Sequence, residues 1–442
     1  MAYGGGRYPT EAASKVAHMK VLQNPTITAL ISQFDATDPQ ADPSAGECTG
    51  IVDLSQAHGI THVVTVDGGE VIVPNPIRRE KAVGFVNVCT TMFAMTTLER
   101  LRIEPWLDPR EYARILTDAQ TLQPAILPLA GVSLPNQTVR QSIRILIDQT
   151  LEFSALYPVL NFLVSRTWNP NYQMPGPDSP FILCRSCRQQ FSLPRNQRVF
   201  ACPSCRHSHT LSDYLGIGED GSDDWGRSDS LSQLRDILET LSLFAVVKGL
   251  HTEPSILNRV LLIKDGPLLL RANLYKIADA IREFLAYLRD QGTTVNLVGI
   301  DKHGEMVDFI PFVSPALSDS GSFFLPSVRY IVTEIKGGEF PSDPRLYRNR
   351  VSYGAKLIAR VGPDHVLALS IPTGPFMLEP RSSDLFGLDT ILRALSTLVS
   401  YRYENALMPI VATNAAASLS FNPSGRILEH FVDEMLGRRR AE

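Results

Sequence analysis

Long apolar runs are missing from this chain. No stretch reaches the ~20 residues of a membrane-spanning helix, and the opening Met-Ala-Tyr-Gly-Gly-Gly-Arg lacks the apolar core of a signal peptide. A cytoplasmic chain without a membrane partner is therefore expected. Cysteine is scarce as well: six occur in 442 residues, and four of them fall in one cluster, which excludes a disulfide framework and suits metal binding in a reducing compartment. Cys48 and Cys89 are expected to be free, with Cys89 packed in an apolar run. Charge of either sign is not in excess, since 42 Lys and Arg against 46 Asp and Glu leave −4. Such a chain has no global attraction to a polyanion, so nucleic acid would have to be met by a local basic patch, by bound metal or by a partner protein. There is no internal repeat, no low-complexity tract and no G-x-x-x-x-G-K-[ST] loop, so any ATP-driven motor must be another chain. What remains is an ordinary globular composition, 44% hydrophobic and 20% charged, in a chain long enough to bury a large core.

The periodicities divide the chain into four parts. Residues 1–45 read as a helical arm and linker, with Ile27, Leu30, Ile31 and Phe34 at helical spacing after Asn24-Pro25 and a polar Pro/Asp-rich segment from Asp35 to Gly46. That apolar stripe needs a surface, either its own main domain or a partner subunit. Residues 46–166 open an α/β domain with strands at His62 to Val66, Glu70 to Val73 and Ala82 to Cys89, a helix through Leu101 and another near Thr138 to Phe153. Residues 167–225, rich in Pro, Ser, Cys and Gly, read as an insertion. Residues 226–442 resume the α/β pattern: a helix over Ser230 to Lys248, a strand Arg259 to Ile263, a helix Leu274 to Arg289 closed by Gly292, and a strand Val295 to Ile300. Strands near Tyr330 to Ile335 and Val366 to Ile371, and helices near Leu388 to Tyr401 and Ile427 to Leu436, complete it.

Two apolar runs end in the same dipeptide, Asp67-Gly68 after His-Val-Val-Thr-Val and Asp265-Gly266 after Arg-Val-Leu-Leu-Ile-Lys. Short Val/Ile/Leu runs without alternation predict strands buried on both faces, and α/β sheets place ligands where such strands end. Each Asp should sit at the carboxyl edge of the sheet. Carboxylates brought together from distant parts of a chain repel unless a cation lies between them, which points to a divalent metal.

Cys184-Arg-Ser-Cys187 and Cys202-Pro-Ser-Cys205 are two C-x-x-C knuckles separated by fourteen residues. This spacing predicts a closed tetrahedral site for one structural Zn2+, with no position left open for catalysis. Around it, residues 181–210 hold Arg185, Arg188, Arg195, Arg198 and Arg206 and no Asp or Glu. That basic surface could meet nucleic acid phosphates, a protein, or only solvent.

The chain resembles the NurA nuclease family, DNA-end-processing enzymes that work with HerA-type hexameric ATPases. The resemblance is carried by Val66-Asp67-Gly68-Gly69, Leu238-Glu239-Thr240, Leu262-Ile263-Lys264-Asp265-Gly266-Pro267-Leu268, Val298-Gly299-Ile300-Asp301-Lys302, Ser352-Tyr353-Gly354, and Leu407-Met408-Pro409-Ile410 leading to Ala417-Ser418-Leu419. It implies an α/β fold with a ribonuclease H-like mixed sheet flanked by helices, to which this chain adds an inserted zinc-ribbon finger. It also implies a divalent-metal-dependent deoxyribonuclease acting on DNA ends or single strands, a homodimer working with a HerA-type ATPase in DNA repair or phage defence. By the same resemblance Asp67, Glu239 and Asp265 hold Mn2+ or Mg2+, and Lys302 neutralises a phosphate oxygen. The residues themselves leave Asp236 or Asp301 open in place of Glu239. Two positions depart from the family pattern: Gly69 stands where Asp-Gly-Ser is usual, and Asn414 stands where many members carry a histidine. Asparagine can hold a phosphate but cannot shuttle a proton near neutral pH. A catalytically weak subunit that guides DNA and docks the ATPase, or a zinc-ribbon adaptor, are the alternative functions.

Overall fold

Valine, isoleucine and leucine crowd the runs at 62–66, 260–263 and 296–300, and in the computed structural model these runs form the centre of one nine-stranded mixed sheet. The structure describes residues 23–33, 48–74, 81–103, 109–174, 179–218, 226–271, 274–342, 351–400, 407–419 and 426–438. Its strands are β1 (Cys48–Ile51), β2 (His62–Pro74), β3 (Ala82–Ala94), β4 (Gln120–Ala130), the short β5 (Phe181–Leu183), β6 (Gln190–Ser192), β7 (Val199–Ala201) and β8 (Ser208–Thr210), then β9 (Val260–Asp265), β10 (Asn296–Asp301), β11 (Ser322–Leu325), β12 (Ala355–Gly362) and β13 (His365–Ile371). The large sheet runs β1-β11-β12-β13-β10-β9-β2-β3-β4. Strands β2, β9 and β10 are mutually parallel, and the remaining pairs are antiparallel. This is the helix-flanked mixed sheet expected from the sequence.

Both faces of the parallel centre are covered, as parallel strands require. On one face Val64, Val66, Leu262 and Leu297 join the helices Val139–Phe153, Tyr157–Val164, Gly226–Leu250 and Tyr275–Asp290. On the other, Val63, Leu261, Ile263, Val298 and Ile300 meet the helices Met95–Ile103, Leu388–Leu398 and Met408–Ala417. Each such side chain, withdrawn from water, stabilises the fold by roughly 1.5–3 kcal/mol. The helix Val139–Phe153 starts where Thr138 and Gln141 close a capping box.

Two expectations are corrected. Asp67 does not end a strand, because His62–Val66 and Glu70–Val73 are one continuous strand of thirteen residues. Along 62–66 it pairs with both β9 and β3; beyond that β9 gives out and only β3 continues beside it. Asp67 therefore stands where the parallel part of the sheet ends, although its own strand does not. The second correction is at Tyr330 to Ile335, which is helical rather than extended: the Ser327 hydroxyl accepts from the Tyr330 N–H at 3.1 Å and starts a turn that continues through Ile335. The strands β1, β4, β11 and β12 have no counterpart in the sequence expectations. β4 carries Pro124 and Pro128, which its place at the sheet edge tolerates.

Residues 43–442 form one compact unit, and the segment before them is a separate one. In that segment the helix Pro25–Ile31 is capped by Asn24, whose side chain accepts from the Thr26 N–H. Leu30 and Ile31 are exposed, while Phe34 lies outside the described residues. Among the described residues no helix is long and apolar enough to cross a membrane.

The finger is two hairpins, β5-β6 and β7-β8, and it is not loosely attached. Ile182, Leu193 and Phe200 belong to the same buried cluster as the helices behind the sheet. Arg198 reaches Asp148 at 2.6 Å and Glu152 at 2.5 Å on the helix Val139–Phe153, and Arg195 donates to the Tyr172 carbonyl at 3.4 Å. Arg185 and Arg144 converge on Asp213 at 3.3 and 2.6 Å. Three of the five finger arginines are thus committed within the chain, whereas Arg188 and Arg206 are exposed at the knuckle tips.

Candidate active site

Side chains alternate along a strand, so in β2 the odd residues from Val63 to Gly69 face the helix Met408–Ala417 and the even ones face the helix Gly226–Leu250. Thr91, paired with Thr65, hydrogen-bonds Thr413 at 2.6 Å on the first side. Asp67 lies on that side. In β9 the register sets Val66 opposite Lys264, which brings Asp67 and Asp265 together as neighbours one step further on. The two carboxyls are hydrogen-bonded to each other, and burial, then the Asp265 charge, pushes Asp67 up to about 8. Near neutral pH this carboxyl keeps a proton. Among the described residues one positive charge meets the pair directly: Lys302 Nζ lies 2.5 Å from Asp265 Oδ2.

Glycine admits the surrounding elements. A Cβ on Gly68 would stand 2.6 Å from Glu239 Oε1, and one on Gly69 would stand 2.5 Å from the Ala417 carbonyl oxygen and 3.0 Å from the Leu419 nitrogen. The two glycines serve close approach of helices from opposite faces rather than a turn. Gly266, by contrast, has φ of +106° and does turn the chain after Asp265. Gly69→Ala pushes against backbone that has no rotamer to swing away, so it is expected to cost about 1–3 kcal/mol. A urea midpoint equal to wild type would show that the helix Met408–Ala417 is not held there.

Glu239 lies across β2 from the aspartate pair. Its Oε2 is 2.8 Å from Lys264 Nζ and its Oε1 is 3.5 Å from Arg235 Nε, and the side chain is 4% exposed. Burial raises its pKa against the pull of Lys264. Burial alone would lower Lys264, but Glu239 beside it raises it instead. The alternative third carboxylates are likewise occupied: Asp236 by Arg271 at 3.2 Å and by Arg235 at 3.4 Å, Asp301 by Lys356 at 2.5 Å. The structure therefore joins Asp67 with Asp265 and gives each candidate partner its own cation.

A cleft of about 700 Å3 is lined by Asp67, Asp236, Glu239, Asp265, Asp301, Lys302 and His303. A second cleft, of about 610 Å3, meets Asp67 and Asp265 from the side of the helix Met408–Ala417 and is lined there by Asn414. Sequence reasoning named Asp67, Asp265, Lys302 and Asn414, and all four line these clefts. It missed Lys264, Arg235, Arg271 and His303. The signal for Lys264 was present, since a lysine inside an otherwise apolar buried strand must find a buried anion. Arg235 lies four residues before Glu239 on one helix, the spacing of side-chain pairs.

The four cysteines form the other centre. Cys184 Sγ is 3.5 Å from Cys205 Sγ and Cys187 Sγ is 3.7 Å from Cys202 Sγ, and all four sulfurs lie within 4.8 Å of one another. Zinc–sulfur bonds of ~2.3 Å in a tetrahedron put sulfurs roughly 3.8 Å apart, so the donor set fits Zn2+. The knuckles match in backbone: the Arg188 N–H donates to the Cys184 carbonyl at 2.8 Å and the Arg206 N–H to the Cys202 carbonyl at 3.0 Å, with both arginines at positive φ. The His207 N–H aimed at Cys205 holds that thiol down to about 6, favouring the ligating thiolate. Among the described residues this is the one group of three or more such side chains drawn so closely together.

No protein-family model and no curated protein matches the chain. Among solved structures it is similar to the crystal structure of the NurA nuclease from Sulfolobus solfataricus, at 10% identity over 97% of this chain and 98% of that one, with a TM-score of 0.35.

Proposed function

We propose that the chain is a divalent-metal-dependent deoxyribonuclease in which Asp67 and Asp265 hold Mn2+ or Mg2+. The observation that carries this reading is the contact of two half-buried carboxyls from distant parts of the chain, one forced to keep its proton, at the mouth of open clefts. A divalent cation held by Asp67 and Asp265 would offset the repulsion that arises once Asp67 gives up its proton. When bound it supplies Lewis acidity toward a phosphodiester. Lys302, whose side chain is 41% exposed, faces a nonbridging phosphate oxygen from the rim. Asn414 donates its amide to the phosphate from the second cleft, and His303 lines the first cleft beside Lys302. Glu239 joins the cation only by releasing Lys264, and otherwise holds a buried negative charge beneath Gly68. The four cysteines hold one structural Zn2+. DNA as substrate, the homodimer, the partnership with a HerA-type ATPase and a role in repair or phage defence follow from the resemblance in sequence. The division into arm, split nuclease domain and zinc-ribbon insertion rests on the periodicities and composition of the sequence. Asn414 in the cleft favours a catalytically weak, DNA-guiding subunit as the second reading.

Incubation with labelled DNA, with Mn2+ or with chelator, tests this directly. Cleavage that appears only with the cation is expected; cleavage unaffected by chelator would rule the reading out. Cation binding must displace the Asp67 proton, so Mn2+ affinity is expected to climb about tenfold per pH unit and to level off above about 8. The apo protein should show the converse. A carboxyl whose pKa is raised on folding stabilises the fold fully below the ordinary carboxylate range, and that contribution is lost as pH rises through about 8. Calorimetric Mn2+ titrations at pH 6, 7, 8 and 9 check the slope, and a flat series would show that Asp67 is not a ligand.

A further inference from the structure

Beside the acidic pair runs a groove that the proposed chemistry does not use. It has a volume of about 700 Å3 and is walled by apolar side chains, among them Val307, Ile310, Ala368, Leu407 and Val411. Val307, Ile310 and Val411 are only half-buried, so their apolar surface faces the groove's open space. The groove shares Asp301 and Lys302 with the first cleft, and Asn414 and Ser418 with the second. A ligand lying along it therefore passes directly beside Lys302 and reaches Asp265 without leaving the surface. One cation at the junction with an apolar wall beyond it complements a molecule that alternates a phosphate with a flat, weakly polar ring.

We propose that this groove seats the base of an unpaired nucleotide adjoining the phosphate at Asp67 and Asp265, which makes a single strand the preferred substrate. A duplex keeps its bases stacked inside, whereas a single strand can splay a base against apolar side chains. This inference rests on the proposed nuclease reading for its placement of the phosphate. The wall is aliphatic and contacts the ring through its face, so it accepts any base and selects none.

The test measures binding without cleavage. Full-length protein with its zinc and no added divalent cation is titrated against fluorescein-labelled oligothymidylate, against an oligonucleotide of the same length with abasic sites, and against a blunt duplex. Oligothymidylate should bind about tenfold tighter than the abasic strand and tighter than the duplex, the size of a single base contact. Val307→Ala, on the short helix Glu305–Asp308, and Ile310→Ala should erase most of that preference, bringing the thymidylate affinity down toward that of the abasic strand. Equal affinity for the thymidylate and abasic strands, or no binding of either, overturns the groove, and the wild-type comparison does not depend on any variant folding. Base preference without metal-dependent cleavage would leave the groove standing and remove the nuclease reading. Cleavage dependent on Asp67 without base preference would do the reverse.

Discussion

Asp67→Asn and Asp265→Asn should each lower metal-dependent cleavage by about a thousandfold or more, equivalent to roughly 4 kcal/mol of transition-state stabilisation. Both variants should fold. Asp67 keeps its proton near neutral pH in the absence of cation, so asparagine reproduces its charge and nearly its shape; because the unfolded wild-type chain ionises Asp67 at pH 7 and must take the proton back up on folding, the apo variant should melt above wild type there. The variant's advantage should be larger at pH 9, where wild-type Asp67 ionises beside Asp265, and should vanish below the ordinary carboxylate range. Asp265→Asn removes the partner of Lys302, and because that lysine is 41% exposed the loss in stability is expected to stay below about 1 kcal/mol. Wild-type cleavage with an unchanged product pattern in either variant would end the assignment of this pair as the catalytic centre.

Removal of the zinc ligands should have the largest effect on stability. Structural Zn2+ contributes about 10–16 kcal/mol of folding free energy in isolated finger peptides, as much as a whole domain's net stability. Here the sheet has its own core, so loss of the ion should melt the finger first. The damage should not stop there. Ile182, Leu193 and Phe200 share a buried cluster with the helices behind the sheet, and Arg198 ties β7 to Asp148 and Glu152. Cys184→Ser should therefore expose 181–210 to protease and lower the melting temperature, while Asp67 and Asp265 stay paired and cleavage survives in part. Elemental analysis of protein purified without chelator should give one zinc per chain. Cys89→Ser should leave that ratio unchanged, since Cys89 is buried in β3 away from the finger. A zinc-free wild type, or a Cys184→Ser variant with wild-type melting and protease resistance, would show that the cluster is not a metal site.

What the sequence by itself determined is the set of local facts. Runs at 62–66, 260–263 and 296–300 had to be strands buried on both faces, because their side chains are apolar without alternation. The helices Gly226–Leu250 and Tyr275–Asp290 were legible as apolar stripes, and the doubled knuckle was legible as four thiolates at a fixed bite. Asp67 and Asp265 were named from their places in these patterns, whereas Lys302 and Asn414 were named through the family resemblance. Tertiary structure alone decided how they meet. The pairing of Asp67 with Asp265 depends on a register between strands almost two hundred residues apart, and a shift of one residue would send either carboxyl to the opposite face. That same parity put Glu239 and Lys264 across the sheet from the acidic pair. It also placed Gly68 and Gly69 in a mid-strand gap between two helices rather than at a strand's end. Strand β4 and the helical turn at Val328–Ile335 escaped for the related reason that edge pairing and capping are settled by neighbours rather than by a segment's own composition. Local pattern fixes what a segment can be; which side chains share a face depends on register, and register is a property of pairs of strands.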